Sequence, residues 1–221
     1  MINLEEQENL FKAIGEGLKE KIECFLIGGS AMMYYGAKET TKDIDLLFLK
    51  EEYRNKVIDI LLSLGYTQKD ARILYKQRKD LPVLMEFKDS RLDLFLNKIV
   101  SFKMTKSVAE RIKKVYEYKK LIIKIVSPED IILMKCATER AGDRLDTKEL
   151  INNFNINWEI IIEESINQAA IGELLYPVSL YDFLNELKED LKVNIKEVVL
   201  EKVKRIAEKE LNEYSKKHKP Q

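Results

Sequence analysis

The chain has 221 residues, 45% of them hydrophobic and 34% charged, with 38 basic and 38 acidic side chains in balance. That composition excludes a disordered chain, fits one domain or a domain with a helical extension, and supplies no global field toward nucleic acid or membrane. Two isolated cysteines, Cys24 and Cys136, favour a reduced interior over a disulfide framework, and a single histidine in the tail, His218, excludes a Ser-His-Asp triad, a Cys-His dyad and a histidine-rich zinc site.

Leu4, Phe11, Ile14 and Leu18 fall at helical spacing and predict an amphipathic helix over residues 3–20. Residues 22–27 read as a buried strand, 31–35 as a short helix closed by Gly36, and 43–49 as a second strand. A helix over 51–63, closed by Gly65, precedes β segments near 72–76, 83–87 and 91–96. Residues 106–118 fit irregular or helical structure, and the β-branched run 121–126 fits a strand. Ser127 as N-cap, Pro128 at the first helical position and Glu129-Asp130 start a helix that runs to about Arg140 and stops at Gly142. Residues 143–153, 157–170 and 178–214 follow as helices, with breaks at Pro177 and near Val193-Asn194. The pattern predicts an α/β core over 1–126 with a helical region, 127–221, packed on it.

No apolar run reaches the roughly 20 residues that span a bilayer, and the polar, acidic start Met1–Glu6 does not read as a signal peptide. The expectation is a soluble cytoplasmic protein without a membrane partner. Its chemistry must run on carboxylates, lysine, hydroxyls and a metal.

The segment Ile27-Gly28-Gly29-Ser30 reads as a strand turning through glycines into a helix near Ser30, and Asp43-Ile44-Asp45 opens the next strand. Glycine lets the backbone approach a phosphate, helix amides favour that anion, and the Ser30 hydroxyl could bond its oxygens. Asp43 and Asp45 project from one face of a strand, where two carboxylates repel unless a cation such as Mg²⁺ lies between them. A phosphate cradle beside a divalent-metal site suggests phosphoryl or nucleotidyl transfer. Asp93, a charge inside the apolar run Leu92-Asp93-Leu94-Phe95-Leu96, is the best third ligand, with Glu86 its rival.

The motifs Gly28-Gly29-Ser30-Ala31 and Gly36 to Leu46, followed by Ser127-Pro128-Glu129-Asp130, Lys135 and Arg140 to Asp146, resemble the nucleotidyltransferase superfamily, most of all its AbiEii-type toxins and their uncharacterised bacterial and archaeal relatives. The resemblance covers about residues 22–150. It implies an α/β (α+β) fold, a mixed sheet flanked by helices, with Mg²⁺ (or Mn²⁺) and an NTP donor. It implies Asp43, Asp45 and Asp93 as the catalytic metal-binding carboxylates, with Gly28, Gly29, Ser30 and Lys42 at the nucleotide. It implies that Lys135 neutralises phosphate charge and that Asp143 or Asp146 positions the acceptor or the helices. A salt-bridge and capping set at a helix corner, with Asp143 as N-cap after Gly142, is the alternative for Arg140, Asp143 and Asp146. Relatives place arginine where this chain has Lys38 and Glu39, so Lys38 or Lys42 would substitute. The resemblance further implies a hydroxyl acceptor on tRNA or protein and a toxin paired with an antitoxin. A catalytically silent nucleotide- or partner-binding module and a transferase acting on a small antibiotic are the other readings. The charged C-terminal helix around 198–214 fits either a grip on RNA or antitoxin or a solvated face.

Overall fold

The computed structural model describes residues 1–75, 81–172 and 174–217. His218 therefore lies outside the described residues, as does residue 76 of the segment expected as a strand. The described chain forms two compact units, Met1–Ser127 and one that starts at Pro128.

In the first unit, strand β1 (Ile2–Asn3) leads into helix α1 (Leu4–Gly17) through a capping box: Asn3 accepts from the Glu6 amide and Glu6 accepts from the Asn3 amide. Strand β2 (Ile22–Ile27) then runs into helix α2 (Gly28–Tyr34), which begins at the glycines themselves rather than at Ser30. Strand β3 (Thr40–Thr41) pairs with β1, and β4 (Ile44–Phe48) enters the sheet beside β2. Helix α3 (Glu51–Ser63), strand β5 (Thr67–Lys69) and the short helix α4 (Arg72–Tyr75) follow.

The β segment expected near 72–76 is thus helical over its described part. Asp70 causes this: its carboxylate accepts from the Arg72 amide at 2.9 Å and its carbonyl from the Ile73 amide at 3.3 Å, so the chain turns instead of extending. Strands β6 (Val83–Phe87) and β7 (Ser90–Leu96), the hairpin β8 (Lys98–Ile99) with β9 (Phe102–Lys103), helix α5 (Lys106–Glu110), and strands β10 (Lys114–Tyr118) and β11 (Leu121–Ile125) complete the unit. The ambiguous 106–118 stretch resolves into α5 and β10, with Thr105 capping the former.

The seven-stranded sheet has the order β10-β11-β2-β4-β7-β6-β5. It is mixed, with β11 parallel to β2 and β4 parallel to β7, and antiparallel at its other pairings. Helix α1 packs on β10 and β11, α2 on β2 and β4, and α3 on β4 and β7. Phe11, Ile14, Ile22, Leu26, Met32, Ile44, Leu46, Phe48 and Leu61 form the buried centre. The parallel β4–β7 pair places both strand starts, and the end of β2, at one edge of this core.

The second unit consists of helices α6 (Pro128–Cys136), α7 (Ala141–Asn153), α8 (Trp158–Ile171), α9 (Tyr176–Glu189) and α10 (Glu197–Lys217). Helix α6 stops short of Arg140, and α7 begins before Gly142, with Arg140 at its cap position. Asp143 is therefore not an N-cap. Pro177 sits in the first turn of α9, where its missing N–H costs nothing, so it starts that helix. Both cysteines are free and buried, Cys24 in the sheet unit and Cys136 in the helical one. Among the described residues, no helix is long and apolar enough to cross a membrane.

Candidate active site

Ile27 on β2, Asp45 on β4 and Asp93 on β7 face one another in register across the sheet. Since β4 and β7 run in the same direction, Asp45 and Asp93 project from one face. Glu86 is opposite Arg91, and Leu84 is opposite Asp93, so Asp93 and not Glu86 shares Asp45's level.

The Gly28 turn closes over this row. Gly28 has φ +62°, and a Cβ there would stand 2.5 Å from Asp45 Oδ2. A side chain at 28 is thus barred both by backbone conformation and by the carboxylate. A Cβ on Gly29 would stand 2.9 Å from Thr41 Oγ1 and 3.4 Å from Lys38 Nζ. The lysine amine lies against the glycine turn, while Glu39 and Lys42 are exposed. The basic residue at the turn is Lys38 rather than Lys42.

The sequence offers the Ser30 hydroxyl as a partner for phosphate oxygens. It is buried instead: Oγ donates to Ile27 O at 2.9 Å and accepts from the Asp45 amide at 3.3 Å. Its hydroxyl ties the turn to β4 and so fixes the height of Asp45.

Two residues that sequence reasoning missed hold the acids. Arg91 Nε donates to Asp93 Oδ1 at 2.9 Å, and Nη2 donates to Asp93 Oδ2 at 3.3 Å and to Asp43 Oδ2. Tyr75 donates its hydroxyl to Asp93 Oδ2 at 2.6 Å, its ring set edge-on against Phe95 at 6.0 Å. A signal for Arg91 existed, because it precedes Asp93 by two on one strand and so shares its face. No signal marks Tyr75, because its apolar segment reads as a strand.

Burial pushes the Asp93 carboxyl above the ordinary carboxylate range; Tyr75 and Arg91 pull it back, Asp43 pushes it up, and the upward causes win. Burial raises the Tyr75 phenol, as do the charges of Asp45, Asp93 and Asp43. Burial opposes the charge on Arg91, but Asp93 and Asp43 outweigh it and raise its pKa.

The donor set is oxygen only, which suits a hard divalent cation in kind. Among the described residues no three carboxylate, imidazole or thiol groups are gathered into a metal cage, and Arg91 pairs with both Asp43 and Asp93.

Within the helical unit, Lys135 Nζ donates to Asp143 at 2.6 Å and to Asp146 at 2.7 Å. Asp143 also accepts from Thr138 and from Arg140, whose Nε lies 2.9 Å away. Arg144 pairs with Glu186 at 2.9 Å and lies over the Phe183 ring. Burial works to raise the Asp143 pKa, but the Lys135 charge and the hydrogen bonds overcome it and hold it at about 2.

The profile of the family described as "Nucleotidyltransferase of unknown function (DUF6036)" matches residues 5–192. The chain belongs to this nucleotidyltransferase family. Its fold resembles a crystal structure of ANT(2")-Ia in complex with adenylyl-2"-tobramycin, at 16% identity and a TM-score of 0.51, over 75% of this chain and 98% of that one. A crystal structure of an antigenic nucleotidyltransferase-like protein from Paracoccidioides brasiliensis aligns at 15% identity with a TM-score of 0.45, over 88% and 96% of the two chains. No curated protein sequence matches significantly. The mixed sheet with its helical C-terminal region is thus a nucleotidyltransferase-like fold.

Proposed function

We propose that this family member moves a nucleoside monophosphate group from an NTP to a hydroxyl acceptor, at the Asp43, Asp45 and Asp93 carboxylates. The observation that carries the reading is the alignment of Asp45 beside Asp93 under the Gly28 turn, with Asp43 joined to Asp93 through Arg91. Those three aspartates would hold Mg²⁺ (or Mn²⁺), which supplies neutralisation of triphosphate charge. Gly28 and Gly29 let the turn lie close against Asp45 and Thr41, and Lys38 beside Gly29 would bring a positive charge to a bound phosphate. The acceptor oxygen forms a bond to the α-phosphorus as the bond to pyrophosphate breaks. Its proton passes to a carboxylate of the trio, which we assign to Asp93. Lys135 serves phosphate only in competition with Asp143 and Asp146, which already share its charge.

The acceptor we favour is tRNA or a protein, in the setting of a toxin whose antitoxin is a separate chain acting in the cytoplasm. An antibiotic acceptor is the second arm, since the protein with the similar fold carries adenylylated tobramycin. A silent binding module draws its support from Arg91, which ties up two of the three acids.

The test incubates the protein with each labelled NTP, Mg²⁺ and total tRNA, cell lysate or tobramycin, beside an Asp43→Ala/Asp45→Ala control. Label transfer that vanishes in the control supports the reading and names the acceptor class. No transfer, together with no metal-dependent NTP binding, overturns it. Growth arrest on expression, absent with the double variant, is the expected mark of a toxin.

A further inference from the structure

We propose that the sheet unit carries a second, separate ligand pocket on the back of strands β4 and β7, and that it takes a small organic ammonium ion with an apolar body. The cavity measures about 310 Å³, within the range of small-molecule pockets. Ile2, Leu10 and Ile44 line its apolar part. Tyr66 and Phe87 give it an aromatic wall, their centroids 5.5 Å apart and their planes tilted by 40°. Ile44 and Asp45 are consecutive on β4 and so point to opposite faces of the sheet. Ser90, which also lines the cavity, precedes Asp93 by three on β7 and again lies on the other face. A molecule held here does not meet the three aspartates. It is no acceptor subsite, and the pocket stands whether or not the protein transfers nucleotides.

Apolar walls alone would accept any small hydrophobic molecule, and the polar groups at the rim narrow the choice. Glu6 is engaged, since its carboxylate accepts from the Asn3 amide at 2.9 Å. Lys88 is engaged too: its ammonium lies over the Phe87 ring, 5.1 Å from the centroid. It does so from the two-residue β6–β7 turn, where Lys88 has φ +52°, a conformation uncommon for a residue with a side chain. Asp89, beside it in the turn, is exposed and has no hydrogen bond or ion pair among the described residues. The uncommitted charge at this rim is therefore negative. On the wall, the Tyr66 hydroxyl and Ser90 Oγ are bonded at 2.9 Å. One of their two protons is spent between them while lone pairs remain on both oxygens, so the pair offers an ammonium more acceptors than it offers an anion donors. The aromatic faces attract the same charge, as Lys88 over Phe87 already demonstrates.

Benzylammonium is the probe, titrated into the full chain and followed by the NMR signals of the backbone amides, beside phenylacetate, which carries the same ring and the opposite charge. The expected result is saturable binding of benzylammonium, with shifts at the Ile2, Ile44 and Ser90 amides, and weaker binding of phenylacetate. Asp89→Asn removes the free carboxylate, and Phe87→Leu keeps apolar bulk but removes the ring. Each is expected to weaken benzylammonium about twofold to fivefold, the range of a partly exposed cation–π contact. Both positions are exposed, so the variants keep the fold, which the same spectra report. Absence of saturable benzylammonium binding, or shifts confined to other parts of the chain, overturns the pocket. Phenylacetate binding as tightly as benzylammonium or more so overturns the choice of a cation. Unchanged benzylammonium affinity in either variant overturns the proposal as well.

Discussion

Each unit of the molecule contains two aspartates joined by one basic side chain, yet the two clusters are opposite in character. In the helical unit, Lys135 joins Asp143 and Asp146, Arg140 adds a second cation, and Asp143 is held at about 2. The ionised form is favoured, and the cluster is a closed brace at the α6–α7 corner. In the sheet unit, Arg91 joins Asp43 and Asp93, and the Asp93 carboxyl is pushed above its ordinary range. Its charge is a burden to the fold. The electrostatics of the helical cluster favour the charged acid, whereas burial in the sheet cluster opposes it.

The sharpest way to break this contrast is to neutralise one acid in each cluster. Asp93→Asn is expected to lower label transfer about a thousandfold, the loss of several kcal/mol of charge stabilisation. The same change should leave the stability of the sheet, read by hydrogen exchange of its strands, within about 1 kcal/mol. Because burial raises the Asp93 pKa, its protonated form is favoured in the folded chain and its contribution to stability is lost as pH rises through the folded pKa.

Lys135→Met strikes the other cluster, leaving Asp143 and Asp146 without their shared cation. Its expected cost is about 3–5 kcal/mol of helical-unit stability, reported by fluorescence of Trp158, the single tryptophan. A loss of activity with unchanged stability would move Lys135 to the site and spoil the contrast.

Gly28→Ala is a smaller perturbation. It forces a Cβ into φ +62° and toward Asp45 Oδ2, and should destabilise the sheet unit by about 1–3 kcal/mol while weakening metal binding. The smallest effect concerns pH. Asp143 has a lowered pKa, so its contribution is complete above the ordinary carboxylate value and fades as pH falls toward about 2. Trp158-monitored stability of the parent should drop across that window more steeply than that of Asp143→Asn.

How far the sequence reveals this molecule differs by residue. The β2–turn–β4 unit is legible because apolar runs and glycines fix it locally. Asp93 is legible because a charge inside an apolar strand demands a partner. Arg91 was hidden in plain pattern: its spacing from Asp93 is visible, but its reach to Asp43 depends on β4 lying beside β7, a long-range pairing. Tyr75 was lost with its segment, where the Asp70 turn overrode β propensity. The start of α7 is not legible because Arg140 caps it without a side-chain hydrogen bond, and Gly142 sits in open space inside the helix instead of ending one.

Mn²⁺ binding to the parent and to Asp45→Asn tests most directly the proposal that the sheet-unit acids are a cation site. The account predicts saturable binding to the parent and a loss of at least about tenfold in affinity for the variant, one ligand's worth of interaction. Equal Mn²⁺ affinity in the two proteins would contradict it.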